Sequence, residues 1–409
     1  LGHAAILLGV DTPIGLAVAR DLADHGVAVH GITRNERSLG RWSRALASVH
    51  LREADKEALI AQIKRLAAET GARGLMTISE GDLRWLGGIR DRLPELRVLA
   101  PPPETLAKVL DKRTTLEAAA AVGVPVPRSD SVRTLDEVGR LAGQLTYPVV
   151  LKWGDPHAVE AALRANGIEQ KKFEYAYDPA DLGAKMASYD RAGVFPLIQS
   201  FAPGYGLGQM VVMHRGKAIL RFQHRRLQEW PPEGGVSTLC ESVGLDQHRE
   251  LFEKSIALLQ SLDWEGPAMV EYRHDPTTAR SALMEINGRF WGSLPLAYHA
   301  GAHFAWATFA SGVLGEVPPQ PDYEVGLRCM FMVPSARRLY TVLFKPESIQ
   351  NKALHFDAAR EVLGMARGAL GPRTSFYVFS WRDPLPAAMD LAYAGREALG
   401  QALHRLRGT

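Results

Sequence analysis

Along the first hundred residues, short aliphatic runs alternate with stretches whose apolar positions recur every three or four residues. AAILLGV (4–10), VAVHGIT (27–33), GLMTI (74–78) and RVLA (97–100) read as strands. IGLAVARDLADHG (14–26) and DKEALIAQIKRLAAETG (55–71) read as amphipathic helices. This alternation predicts right-handed βαβ units and a parallel sheet. The run Pro101-Pro102-Pro103 continues neither kind of element and marks a border. Beyond it, ETLAKVLDKRTTLEAAAAVG (104–123) predicts one helix closed by Gly123, and TLDEVGRLAGQL a further helix leading into the strand YPVVLKW (147–153). Residues 154–172 are polar and without period, which predicts an irregular, mobile loop. FPLIQSFAPGYGLG (195–208) reads as a strand running into a Gly/Pro turn, and QMVVMH with KAILRFQH as a hairpin about Arg215-Gly216. A helix at 246–262 precedes the strands PAMVEYRH and SALMEIN. The tail opens with EVPPQPDYE and ends in a helical stretch.

The two strands PAMVEYRH and SALMEIN carry the most chemistry. The DPTTAR segment between them reads as a hairpin loop, and a midpoint at 278 pairs Glu271 with Glu285. Strand alternation then puts Glu271, Glu285 and Asn287 on one face, and Val270, Met284 and Ile286 on the other, against a core. Two facing carboxylates repel unless something positive lies between them. Two carboxylates and an amide oxygen suit Mg²⁺. An ion held by so few protein ligands completes its shell with water and phosphate oxygens, so a phosphate-bearing partner should be met by cations. Lys152 ends the apolar strand YPVVLKW, and Lys112 follows Asp111 inside the Ala/Leu-rich helix.

Composition narrows the classes. Lys and Arg number 48 against 45 Asp and Glu, a net charge of +3, too near neutral for a surface built to coat nucleic acid. Cys240 and Cys329 stand in no metal or redox spacing, so a disulfide scaffold and a cysteine-built zinc site are excluded and a reducing compartment is expected. No run approaches the roughly 18 apolar residues of a membrane span, and LGHAAILLGVDTPIG has neither a basic n-region nor a small-residue cleavage site. The expectation is a cytoplasmic enzyme with small-molecule partners, no nucleic acid and no membrane. Of the 13 histidines, His299 and His303 stand four apart, but Gly301 between them weakens any aligning helix, so they read as packing or solvent residues.

The order DKRTTLEAAAAVGVPVP, YPVVLK, LIQSFAPGYG and MVEY…LMEINGRF resembles the ATP-grasp superfamily over about residues 1–315. In pattern it is similar to biotin-carboxylase and carbamoyl-phosphate-synthase-like carboxylate–amine ligases. The resemblance implies an α/β (α+β) chain: a Rossmann-like domain (1–103), a two-lobed ATP-grasp domain (104–316) and a small C-terminal extension (317–409). The implied cofactors are ATP and Mg²⁺. Lys112 and Lys152 would then bind the nucleotide, with Gln199, Ser200, Phe201 and Ala202 supplying backbone contacts to adenine. Glu271, Glu285 and Asn287 would hold Mg²⁺, and Arg289 would face the reacting phosphate. The implied reaction joins a carboxylate to an amine through an acyl phosphate, releasing ADP and phosphate.

Two departures stand out. The phosphate-covering loop of such proteins is often glycine-rich, whereas WGDPHAVEAALRANG holds only Gly154 and Gly167. Ser200 and Tyr205 stand where acids often serve the hinge. His224, Arg225 and Arg226 end a strand before EWPPEGGVST; Arg225 and Arg226 are candidates to stabilise the acyl phosphate. The loop's resemblance to ATP-grasp proteins found among surface-polysaccharide and natural-product enzymes implies substrate selection there, with Ser237 and Glu241 as candidates. Two other functions compete. The start resembles NADP-dependent reductases, with Gly9, Gly15 and Arg34 placed for a dinucleotide, but its G-x₅-G lacks the middle glycine that admits a pyrophosphate. A non-catalytic ATP-binding regulator is the third class. The tail is expected to pack on the ATP-grasp domain or to form an oligomer contact, with a homodimer as the assembly considered.

Overall fold

The computed structural model describes residues 2–352 and 354–407. Among the described residues the chain forms three sheets. The first is parallel, with strands in the order Ser48–Leu51, Val27–Thr33, His3–Leu8, Gly74–Thr77, Arg97–Val98. Its central strand is apolar after His3 and buried, as a strand covered on both faces must be. Helix Pro13–Asp24 starts where Thr12 Oγ1 accepts from Gly15 N (3.3 Å) and Pro13 presets the first turn. A Cβ on Gly15 would lie 2.2 Å from Gly9 O, so this glycine lets the helix sit directly on the strand end.

The second sheet is antiparallel, in the order Ser129–Asp130, Leu197–Ser200, Val149–Lys152, Glu174–Ala176. Val149, Leu151, Ala176 and Ile198 pack in one core with Val138, Leu182 and Met186 of the helices Leu135–Ala142 and Pro179–Asp190. Alternation turns Val150, Lys152, Tyr175 and Gln199 to the opposite face.

The third sheet runs Arg280–Asn287, Gly266–Asp275, Tyr205–His214, Lys217–Trp230, Val236–Val243, Arg328–Met330, Thr374–Phe376. One face buries Leu207, Val211, Val270 and Ile286 against Leu259 and its neighbours on helix Arg249–Ser261. The other buries Met210, Phe222, Cys240 and Met269 with Leu16, Trp291 and Phe304, which joins the N-terminal unit to this sheet. Its last two strands come from the segment after residue 317, so that segment extends the sheet. The same segment reaches the N-terminal unit through Asp383, whose carboxylate accepts from Arg20 Nε (3.1 Å), Ser43 Oγ (2.6 Å) and Arg44 N (3.0 Å). No helix among the described residues is long and apolar enough to cross a membrane.

Two sequence expectations change. The single helix expected over 104–123 is two, Pro103–Leu110 and Lys112–Ala121, because Asp111 adopts an extended backbone and its Oδ1 accepts from Thr114 N (2.7 Å). Lys112 is therefore the first residue of a helix, not an interior one. The loop expected over 154–172 contains helix Pro156–Ala165. Asp155 accepts from Ala158 N (3.4 Å), Pro156 opens the first turn, and Leu163 packs with Trp153 and Tyr189 in a small core. Its polarity belongs to the outer face of an amphipathic helix.

Candidate functional site

The hairpin places Glu271 opposite Glu285, but not by regular alternation. A bulge falls between Glu271 and Tyr272, which pairs with Leu283, leaving Met284 as the extra residue. Met284 therefore does not face the core, as alternation predicts. Its sulfur lies 3.8 Å from Lys152 Nζ, and the opposite core holds Val270, Leu283 and Ile286 without it.

Each acid has its own cations. Arg226 Nη2 reaches Glu271 Oε2 at 2.6 Å, while its Nη1 donates to Glu229 Oε1 (3.0 Å) and Gly235 O (3.3 Å). Arg273 Nη2 holds the other oxygen of Glu229 at 2.9 Å. Burial pushes the Glu271 carboxyl up, Arg226 opposes it, and Glu285 and Glu229 push it further up. Burial would also raise Glu285, but Lys112, Lys172, Lys152 and the amide of Asn287 pull it down to about 2. Lys112 Nζ is 3.7 Å from Glu285 Oε2, and Asn287 Nδ2 donates to Glu285 Oε1 at 3.2 Å. The result is one firmly ionised carboxylate beside one that is harder to ionise.

Lys152 Nζ donates to Gln199 Oε1 (3.2 Å) from the face of the second sheet that looks onto the hairpin. Burial, then Lys112, lower its pKa to about 8, while Glu285 and Glu271 oppose the shift. The unfolded lysine, at 10.5, holds its proton longer, so this group makes the fold more stable as pH rises from about 8 to 10.5. Lys152→Met should therefore melt higher than the parent near pH 7, with the gap closing through that window, as thermal melts across pH will show.

Arg289 is fixed between Glu80 Oε1 (3.1 Å, from Nε) and Asn287 Oδ1 (3.3 Å, from Nη2), so the N-terminal unit contributes to this edge of the site. The structure thus gathers Lys112, Lys152, Gln199, Arg226, Glu271, Glu285, Asn287 and Arg289 in one linked set. It does not bring in Arg225. Neighbours on a strand face opposite ways, and Arg225 pairs with Glu241 Oε1 (3.0 Å) while Arg328 holds Glu241 Oε2 (2.8 Å) on the far face of the sheet. Glu241 is spent there as well, and Ser237 Oγ turns to Leu239 O (3.4 Å). The Ser200 N–H, expected to meet adenine, donates to Arg128 O at 2.9 Å in the pairing with the neighbouring strand. Phe201 and Ala202 follow at the crossing into Tyr205–His214, with the Phe201 ring 6.1 Å from that of Tyr175.

Sequence reasoning missed Glu80, Lys172, Glu229, Arg273 and Met284. Arg273 was within reach, two residues past Glu271 on the same face. Glu229 was not: three residues from Arg226, it would face away in a regular strand, and irregular register on both sides of Gln228 turns it back. Arg34, the candidate for a 2′-phosphate, is held by Asp82 Oδ2 (2.9 Å) and Ser79 Oγ (3.0 Å).

A Rossmann-like unit ahead of two sheets that face each other across Lys152 and the Glu271–Glu285 hairpin is the ATP-grasp fold. Solved structures share it at low identity. N5-carboxyaminoimidazole synthetase from Staphylococcus aureus superposes with a TM-score of 0.63 at 14% identity, over 85% of this chain and 87% of that one. The biotin carboxylase domain of Hydrogenobacter thermophilus 2-oxoglutarate carboxylase, in complex with MgADP, ADP and bicarbonate, gives 0.60 at 14% identity, over 80% and 74%. L-amino acid ligase from Bacillus licheniformis gives 0.56 at 15% identity, over 78% and 77%. No protein-family model matches the sequence, and no curated protein does.

Proposed function

We infer that this chain is an ATP- and Mg²⁺-dependent ligase that joins a carboxylate to an amine. One observation carries the reading: an ionised Glu285 opposite Glu271 on a hairpin, with Lys112 beside it on the helix packed against its strand and Lys152 facing it from the second sheet. Glu271, Glu285 and Asn287 are hard oxygen donors of the kind Mg²⁺ accepts, and they would hold it. When bound, the ion draws charge off the terminal phosphates. Lys112 and Lys152 would neutralise the same phosphates, and Lys172 would approach from the segment after helix Pro156–Ala165. Val150 and Met284 would bound the adenine ring, whose backbone contacts fall to Phe201 and Ala202 because Ser200 N–H is occupied.

In this scheme an oxygen of the substrate carboxylate attacks the γ-phosphorus and the bond to the ADP oxygen breaks, giving an acyl phosphate. The amine nitrogen then attacks the acyl carbon, phosphate leaves with the bonding pair, and the amine loses a proton to water. The protein's part is position and charge. Arg289, positioned by bonds from Nε to Glu80, from Nη1 to Phe290 O and from Nη2 to Asn287, would stabilise the acyl phosphate, and Arg226 would keep Glu271 oriented. The solved structures of similar fold include a synthetase, a carboxylase domain and a ligase, and their names favour this class over an oxidoreductase.

The products provide the test. In this reading the lysines and both acids would meet the terminal phosphates, so the γ-phosphoryl would be the group whose developing charge is best met. Incubation with Mg-ATP and a panel of carboxylates and amines should yield ADP and phosphate in equal amounts, resolved by chromatography. Stoichiometric AMP would overturn both the acyl-phosphate route and the roles given to Lys112 and Lys152.

A further inference from the structure

A second group of ligand-bearing side chains lies away from the hairpin, where helix Pro13–Asp24 meets helix Phe304–Phe309. Asp21 is 2% exposed. Its Oδ2 accepts from Ala305 N (2.8 Å) and Trp306 N (3.2 Å), which fixes the carboxylate at the start of the second helix. Its Oδ1 lies 2.9 Å from His303 Nδ1 and 3.5 Å from His25 Nδ1. His25 follows Asp21 by four residues and so lies on the same side of the helix. The His25 ring stacks on Trp306, with centroids 4.8 Å apart and planes 6° apart, and meets the His303 ring edge-on at 4.7 Å. A backbone cap, an aromatic stack and an edge contact therefore hold three donors whose ligand atoms all lie within 4.8 Å of one another.

We propose that Asp21, His25 and His303 bind one first-row transition-metal ion. Bonds of about 2.0–2.2 Å place neighbouring donors about 2.9–3.6 Å apart, and the two carboxylate–imidazole separations fall in that range. Two imidazoles and one carboxylate select Zn²⁺, Fe²⁺, Co²⁺ or Ni²⁺ over Mg²⁺, which takes oxygen. The set leaves coordination positions open. His25 and His303 also line a cavity of about 200 Å³, walled by Ile219, Trp306, Pro318 and Pro319, so a small ligand or water can reach the ion. His303 Nδ1 bonds Asp21 Oδ1 and His25 Nδ1 bonds Asp21 O (2.7 Å). Metal entry requires each neutral ring to carry its proton on Nε2, which frees the Nδ1 lone pair. His299, whose spacing to His303 suggested a pair, turns instead to Phe376 O (3.0 Å).

The test uses the full chain, stripped with a chelator and titrated with Co²⁺ in excess Mg²⁺. A visible spectrum of imidazole-bound Co²⁺ should saturate at one equivalent and be displaced by Zn²⁺. His25→Ala and His303→Ala should each weaken binding about 100-fold, and Glu285→Gln should leave it unchanged, which separates this site from the one at the hairpin. If His303→Ala does not fold, His25→Ala decides, since the His25 side chain is partly exposed and its only backbone bond among the described residues is at Asp21 O, in the last turn of its own helix. Absence of a saturating spectrum, or wild-type affinity in His25→Ala, would overturn the proposal.

Discussion

Glu285→Gln is expected to lower turnover about 1,000-fold and to raise the Mg²⁺ concentration needed for half-maximal rate. Glutamine keeps the shape and one oxygen but removes the charge that Lys112, at 3.7 Å, and the lysines around it are arranged to meet. The fold should survive with a lower melting temperature at pH 7. A carboxyl held at about 2 instead of 4.5 contributes stability that is present above 4.5 and lost as pH falls towards 2. The difference in melting temperature between variant and parent should therefore narrow over that acid range. Steady-state rates against Mg²⁺, with melts at several pH values, check both halves. An unchanged rate would remove Glu285 from the metal assignment.

Arg226→Met is expected to cost about 3–5 kcal/mol of folding stability, among the largest losses any single substitution here should give. The Arg226 side chain is 12% exposed and those of its partners Glu271 and Glu229 are 14% and 10% exposed, so its removal leaves two buried carboxylates facing each other. Arg273 still holds Glu229, which puts most of the loss on Glu271. Glu271→Gln in the Arg226→Met background should recover about 1–3 kcal/mol by urea unfolding, as expected for contacting residues. If the double variant is no more stable than Arg226→Met, the arginine acts there through packing and not through charge.

The sequence made the hairpin legible through its short polar loop, but the turn centres between 277 and 278, with Asp275 opposite Arg280, so Glu271 meets Glu285 only because of the bulge. It could not show the bulge, and the bulge decides that Met284 lies beside Lys152. The same limit applies on strand Lys217–Trp230. Alternation alone separates Arg225 from Arg226, so only one of that pair could have belonged to the site. Glu229 joined it through irregular register that no spacing rule foresees. The helix at Pro156–Ala165 was written in its Asp-Pro start and its alanines, though the polar outer face made it look structureless. Strand Arg328–Met330 is three residues long, too short for any period, and its place in the large sheet comes from tertiary pairing with Val236–Val243.

The anchoring of Asp383 also bears on how the molecule comes to exist. Arg20 sits in the second turn of the first helix, 4% exposed, and burial depresses its pKa against the pull of Asp383. The partner that compensates it lies 363 residues later. As the ribosome emits the chain, the N-terminal unit can close its sheet early. Its buried guanidinium then waits for this counter-charge until residue 383 has left the exit tunnel. Residues 3–98 are thus made long before the ion pair that completes them, and their completion is gated by translation of the segment that carries Asp383.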